Sequence, residues 1–207
     1  MTSHRPAPLT NTAVATFAAA LATWHPSDPA QQALLGEYLD FITERGDTSL
    51  DRDGGPTHIT ASCFVFNADR TEVLLCFHRK GQFWVQLGGH IEAGDASVAD
   101  AALREAREEG GISELTALRE LPVDLDRHGL GDGFGRCSVH WDVGYAATAP
   151  EGAITAVSDE SEDVAWWPVD GLPDNVPPNF GRRVQGVLRE LAANPAVETS
   201  PRRGNEG

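Results

Sequence analysis

Glu105, Glu108 and Glu109 fall within the run REAREE. On a helix, positions three and four apart are neighbours, so this spacing gathers three carboxylates on one side of a single turn. Like charges at that spacing destabilise a helix by roughly 0.2–0.5 kcal/mol per pair unless something offsets them. Carboxylate oxygens are the donors a hard divalent cation takes, and Mg²⁺ usually arrives with substrate phosphates. Upstream, Gly88 and Gly89 read as a short loop feeding this helix. Glycines there let the backbone approach a ligand closely, and a helix N-terminus offers free N–H groups to an anion. The combination points to a metal-dependent phosphate site.

The elements that must position these residues follow from periodicity. The acidic helix is expected over about Ser97 to Glu109, with Ser97 and Asp100 as an N-terminal capping pair and Gly110-Gly111 ending it. Ala99, Ala102, Leu103 and Ala106 form a stripe of small apolar residues, which would let the helix lie close against a sheet. Before it, ITASCFVF, the turn NADRT and EVLLCFH read as a β-hairpin, and FWVQL (83–87) as a short extended piece. After it, SELTALREL (113–121), residues 136–149 and VAWWPV (164–169) are strand candidates, and Phe180 to Ala193 a closing helix. Residues 12–23 and 28–45 read as two further helices, the second opened by Asp28-Pro29. That order favours an α/β or α+β domain. Residues 1–57 would be a helical extension and linker, 58–194 the catalytic domain, and 195–207 a disordered tail.

Composition narrows the partners. The net charge of −15 would repel duplex nucleic acid and anionic membranes. A phosphorylated small substrate is compatible with that charge only if divalent metal is part of the site. No apolar run approaches the ~20 residues that span a bilayer. Cys63, Cys76 and Cys137 show neither a zinc spacing nor a disulfide framework, which suggests free thiols and a cytoplasmic location. His58 and His78 likewise sit in no metal-ligand pattern, and His140 reads as a strand residue.

Taken whole, GGHIEAGDASVADAALREAREEGGI (88–112) resembles the signature of the Nudix hydrolases. Gly89, Arg104, Glu105, Ala106, Glu108, Glu109, Gly111 and Ile112 take the matching places. Asp95 stands where glutamate is usual, and eight residues rather than seven separate it from Arg104, which leaves the role of Asp95 open. The resemblance implies a mixed sheet sandwiched between helices. It also implies Mg²⁺- or Mn²⁺-dependent hydrolysis of a diphosphate bond in a nucleoside diphosphate linked to another moiety. On this reading Glu105, Glu108 and Glu109 hold the metal with the backbone carbonyl of Gly88, and Glu105 also orients water. Arg104 would brace a glutamate through a bidentate pair, which Lys would do less well.

Other residues are assigned around that centre. A separate general base is expected in DESED (159–163), with Glu160 first and Glu162 second. Trp84 could stack on a base, Arg79 could meet a phosphate, and Gln86 flanks the glycines as a further substrate contact. The N-terminal helices offer a surface for a homodimer or a regulator. Two alternatives stay open on the same scaffold: a nucleotide-sensing or partner-binding module, and a diphosphate isomerase using a cysteine.

Overall fold

The run from Thr57 to Phe66 carries β-branched and aromatic residues, and all but its first residue are buried. Buried on both faces, it forms the central strand β1 (Thr57–Phe66) of a mixed sheet that has eight strands among the described residues. The computed structural model describes residues 11–131, 135–157 and 161–195 of the chain. One edge of β1 pairs in parallel with β7 (Val139–Thr148) over its full length, from Thr57 opposite Val139 to Phe66 opposite Thr148. The other edge is shared. Its end pairs with β2 (Glu72–His78) through Val65 and Phe66, and its middle with β4 (Leu87–His90) through residues 60–63. The strands β3 (Phe83–Val85) and β8 (Ser161–Pro168) flank β2, while β5 (Thr116–Ala117) and β6 (Asp124–Gly129) pair with β7.

Alternation along β1 decides what each face packs against. Ile59, Ala61, Cys63 and Val65 join one apolar cluster with the helices α1 (Asn11–Thr23), α2 (Pro29–Arg45) and α3 (Val98–Gly110). Phe64 and Phe66 join a second cluster, with Phe180, Val184, Val187 and Leu191 of α4 (Phe180–Ala193). The sheet is thus sandwiched between helices, as the resemblance implied. Among the described residues no helix is long and apolar enough to cross a membrane.

Several expected boundaries moved. Residues 46–56, read as part of the linker, hold two 3₁₀ turns (Gly46–Ser49 and Arg52–Gly54) around a buried Leu50. Only Thr116–Ala117 of SELTALREL is strand, and β6 was not anticipated, because DLDRHG lacks an apolar alternation. In β8 the pairing starts at Ser161, so Glu162 lies on a strand rather than in a loop. Gly88 and Gly89 lie within β4, paired to Ser62 and Ala61, instead of forming a loop. The N-terminal tail and the C-terminal residues 196–207 lie outside the described residues.

The N-terminal segment shares its core with the sheet. Leu21, Trp24, Tyr38 and Leu50 are almost wholly buried, each worth about 1.5–3 kcal/mol on burial. Its main polar anchor is Glu190 on α4. Glu190 accepts hydrogen bonds from Trp24 Nε1 (3.0 Å), Ser27 N (2.9 Å) and Ser27 Oγ (2.8 Å), and pairs with Arg119 at 3.3 Å. Burial would raise its pKa, but the bonds from Ser27, Trp24 and Asn194 outweigh that and hold it below the ordinary 4.5. Glu190→Ala should cost about 3 kcal/mol in urea unfolding at pH 7, since Arg119 would be left buried without its partner. A lowered folded pKa means that this stability is present above pH 4.5 and lost as the pH falls through the folded value. Glu190→Gln should therefore flatten the acid limb of the stability curve; an unchanged acid limb would contradict that role.

Candidate active site

Helix α3 opens on Ser97, whose Oγ accepts from the Asp100 backbone N–H at 3.1 Å. It closes on Gly111 in the left-handed region, at φ +69°. Between these caps the buried stripe is Val98, Ala101, Ala102, Ala106, Glu109 and Gly110. This is turned slightly from the expected stripe, since Ala99 and Leu103 are only half-buried. The turn draws Glu109 inward and leaves the three glutamates in graded environments. Glu109 is buried, the Glu105 side chain is 12% exposed, and that of Glu108 is 60% exposed.

Gly89 of β4 explains how the helix comes so near, and Gly88 how β4 lies so close to β1. A Cβ on Gly89 would stand 2.7–2.8 Å from the Glu105 carboxylate, and one on Gly88 only 2.5 Å from Ser62 Cβ. Both positions thus need the space of a missing side chain. Neither has a positive φ, so it is close approach and not backbone freedom that requires glycine. The Gly88 N–H donates to Glu109 Oε2 at 2.8 Å, and the Cys76 thiol lies 3.9 Å from the same oxygen.

Arg104 organises the rest. Its Nε and Nη2 grip both oxygens of Asp95, at 2.9 and 3.1 Å. Nη1 donates to Glu105 (2.9 Å) and Glu108 (3.0 Å), and Nη2 also reaches the His90 carbonyl (3.0 Å). The expected bidentate pair with a glutamate is therefore made with Asp95 instead. The extra residue before Arg104 is absorbed ahead of the helix, and Asp95, with its side chain only 6% exposed, finds a structural role. The Asp95 bond in particular pushes the guanidinium pKa above its ordinary value. Arg107 turns its Nε to the Ser113 carbonyl at 3.2 Å.

The arrangement sets Asp95, Glu105 and Glu108 around one guanidinium, with Glu109 held beside them by the Gly88 N–H. Its donors are all oxygen, the set a hard divalent cation takes. Glu105, Glu108, Glu109 and Gly88 are brought together on one α3–β4 seam, and Arg104 and Asp95 brace it. Glu160 lies outside the described residues. Glu162 accepts from the Gln82 side chain at 3.3 Å. Cys63 is fully buried, and burial pushes its thiol up to about 12, so it is no ready nucleophile.

The other sequence candidates are spread over the opposite sheet face and its edge. Trp84 packs edge-on between Phe77 (5.4 Å) and Trp167 (5.5 Å), rather than standing open as a platform. Arg79 is exposed after β2. Gln86 is buried, and its amide donates to Asp142 (3.0 Å) and Ser62 (3.3 Å), while Oε1 has no hydrogen-bond partner. Around Gln86 lies a polar network that the sequence reading missed. Arg183 of α4 pairs with Asp124 (2.7 Å), Asp126 (3.2 Å) and Asp142 (3.3 Å). Burial nevertheless pushes Asp124 up to about 6. The signal was available as the alternation His58, Thr60, Ser62 on β1 and His140, Asp142 on β7, which marks a polar sheet face.

Comparison with known proteins agrees with this geometry. The family model described as NUDIX domain matches residues 56–190. No curated protein matches. A NUDIX-family hydrolase from Clostridium perfringens superposes with a TM-score of 0.52 at 25% identity, covering 64% of this chain and 97% of that one. An Ap4A hydrolase from C. elegans gives 0.54 at 18% identity, over 66% and 98%. A UDP-X diphosphatase gives 0.51 at 14% identity, over 87% and 90%. That last coverage exceeds the share of the chain from residue 56 onward, so it takes in part of the N-terminal segment. With the family model spanning well over half of the sequence, and the fold and its signature helix in agreement, the chain belongs to the Nudix hydrolase family.

Proposed function

We propose that this protein hydrolyses the diphosphate bond of a nucleoside diphosphate linked to another moiety. Mg²⁺ or Mn²⁺ would be held by Glu105, Glu108, Glu109 and the Gly88 carbonyl. The observation that carries this reading is the convergence of Glu105 and Glu109 on the Gly88-Gly89 backbone, with Arg104 joining Glu105 to Glu108 and Asp95. When bound, the ion neutralises charge on the diphosphate and activates the attacking water. The side chains then have defined tasks. Arg104 holds Glu105 and Glu108 in fixed rotamers, and Asp95 fixes Arg104. Glu109 is aimed by the Gly88 N–H, and Glu105 has the further proposed role of orienting water.

With charge offset in this way, no nucleophilic side chain is required. Glu160 remains the proposed general base, with Glu162 as its substitute. Gln86 is kept as a proposed substrate contact for its place two residues before Gly88. Arg79 and Trp84 complete the proposed substrate set. The names of two fold neighbours, an Ap4A hydrolase and a UDP-X diphosphatase, fit a substrate of this class. A cytoplasmic location, with buried thiols left reduced, belongs to the same reading.

A panel of nucleoside diphosphate derivatives with Mg²⁺, scored by released monophosphate, should give turnover that chelation abolishes. Glu108→Gln/Glu109→Gln should remove it, and turnover surviving in the double variant would sink the metal assignment. Gly89→Ala probes the close approach itself. Displacing the Glu105 carboxylate by about 1 Å should lower kcat about 100-fold, with little change in the melting temperature. Unchanged turnover in Gly89→Ala would show that the contact is dispensable.

A further inference from the structure

Four side chains that the diphosphate site does not use converge on the polar face of the sheet. His58 of β1 and His140 of β7 are register partners across the parallel pair. His90 ends β4, and Cys137 lies two residues before β7. The donor atoms of these four residues all lie within 4.8 Å of one another. Cys137 Sγ is 4.0 Å from both His58 Nε2 and His90 Nε2. The imidazole centroids are 5.1 Å apart for His58–His90, 5.2 Å for His58–His140 and 5.4 Å for His90–His140.

Packing alone gives no account of this cluster. A neutral imidazole has one N–H and one lone pair, and both want partners when buried. Here His140 Nε2 is buried without a hydrogen-bond partner. His58 Nδ1 lies 3.2 Å from the Gly55 carbonyl, so the proton belongs on Nδ1 and the Nε2 lone pair faces the thiol. A metal-bound histidine is typically oriented in this way by a carbonyl on its other nitrogen.

We propose that His58, His90, Cys137 and His140 form a second, tetrahedral metal centre that takes zinc. Three imidazole nitrogens and one thiolate form a borderline-soft donor set, unlike the all-oxygen glutamate site, so the two sites select different ions. Tetrahedral zinc spaces its donors roughly 3.3–3.6 Å apart, given bonds of about 2.0–2.1 Å to nitrogen and 2.3 Å to sulfur. The side chains therefore close by about 1 Å on binding, and Cys137 releases its thiol proton to solvent. Four protein donors complete the coordination, which makes the centre a brace and not a catalyst. It ties β1, β4 and β7 together one residue from Gly89, and the His90 carbonyl is itself held by Arg104.

The test is metal content after expression with zinc and dialysis into buffer containing only Mg²⁺. The wild type and Glu108→Gln/Glu109→Gln should each keep one zinc per chain. His140→Ala should keep none, and Cys137→Ser should bind at least tenfold more weakly, with far-ultraviolet dichroism confirming that the variants fold. Cobalt in the zinc site should give a thiolate charge-transfer band that Cys137→Ser lacks. After chelation, added zinc should raise the melting temperature of the wild type but not that of His140→Ala. A wild type that keeps no zinc, or a cobalt form with no thiolate band, overturns the proposal without reference to any variant. Zinc lost only from the glutamate variant would also overturn it, by assigning the ion to the carboxylates.

Discussion

The close approach of β4 to α3 is the constraint on which the rest of the site depends. A strand and a helix can meet this tightly only where neither carries bulk. Gly89 leaves room for Glu105 on the strand side, and the buried Ala101, Ala102 and Ala106 keep the helix face small. Gly110 extends the same logic at the helix end, where a Cβ would stand 3.1–3.2 Å from Leu74 and Leu87. Once the backbones are this near, the Gly88 N–H reaches Glu109, and the Glu105 carboxylate fills the space a side chain at residue 89 would take. A side chain at Gly89 would displace the Glu105 carboxylate, and one at Gly88 would push β4 away from Ser62 of β1.

The charge balance at this seam is hard to explain by stability. An exposed i,i+4 pair such as Arg104–Glu108 contributes about 0–1 kcal/mol. Against that stands the repulsion among Asp95, Glu105, Glu108 and Glu109, three of them largely removed from water. Arg104 touches three of the four and the His90 carbonyl, which fixes their geometry but leaves an excess of negative charge. Such an excess is tolerable where a divalent cation completes the site.

What was legible in the sequence was local. The caps of α2 and α3 and the glutamate spacing depend on neighbours a few residues apart, and Asp28, Ser97 and Gly111 behave as their positions suggest. The glycines were recognised as necessary but misplaced, because a pair of glycines reads as a turn while the structure uses them for space within a strand. Strand β6 was illegible for another reason. Its alternation of Asp124, Asp126 and His128 is polar because this face meets Arg183, and apolar periodicity cannot reveal a strand whose inward face is charged. The role of Asp95 was hidden by a one-residue difference in spacing that the loop absorbs. His58, His90, Cys137 and His140 are brought together by strand register over some eighty positions, with no local spacing to betray them.

The central claim is that the α3–β4 seam is where the divalent ion sits. Paramagnetic broadening by Mn²⁺ in a two-dimensional amide spectrum tests it most directly. Substoichiometric Mn²⁺ should first broaden the amides of Gly88, Gly89 and residues 104–109, and excess Mg²⁺ should restore them. Broadening that instead begins at scattered acidic residues elsewhere, and leaves Gly88 and Gly89 sharp, would contradict the account.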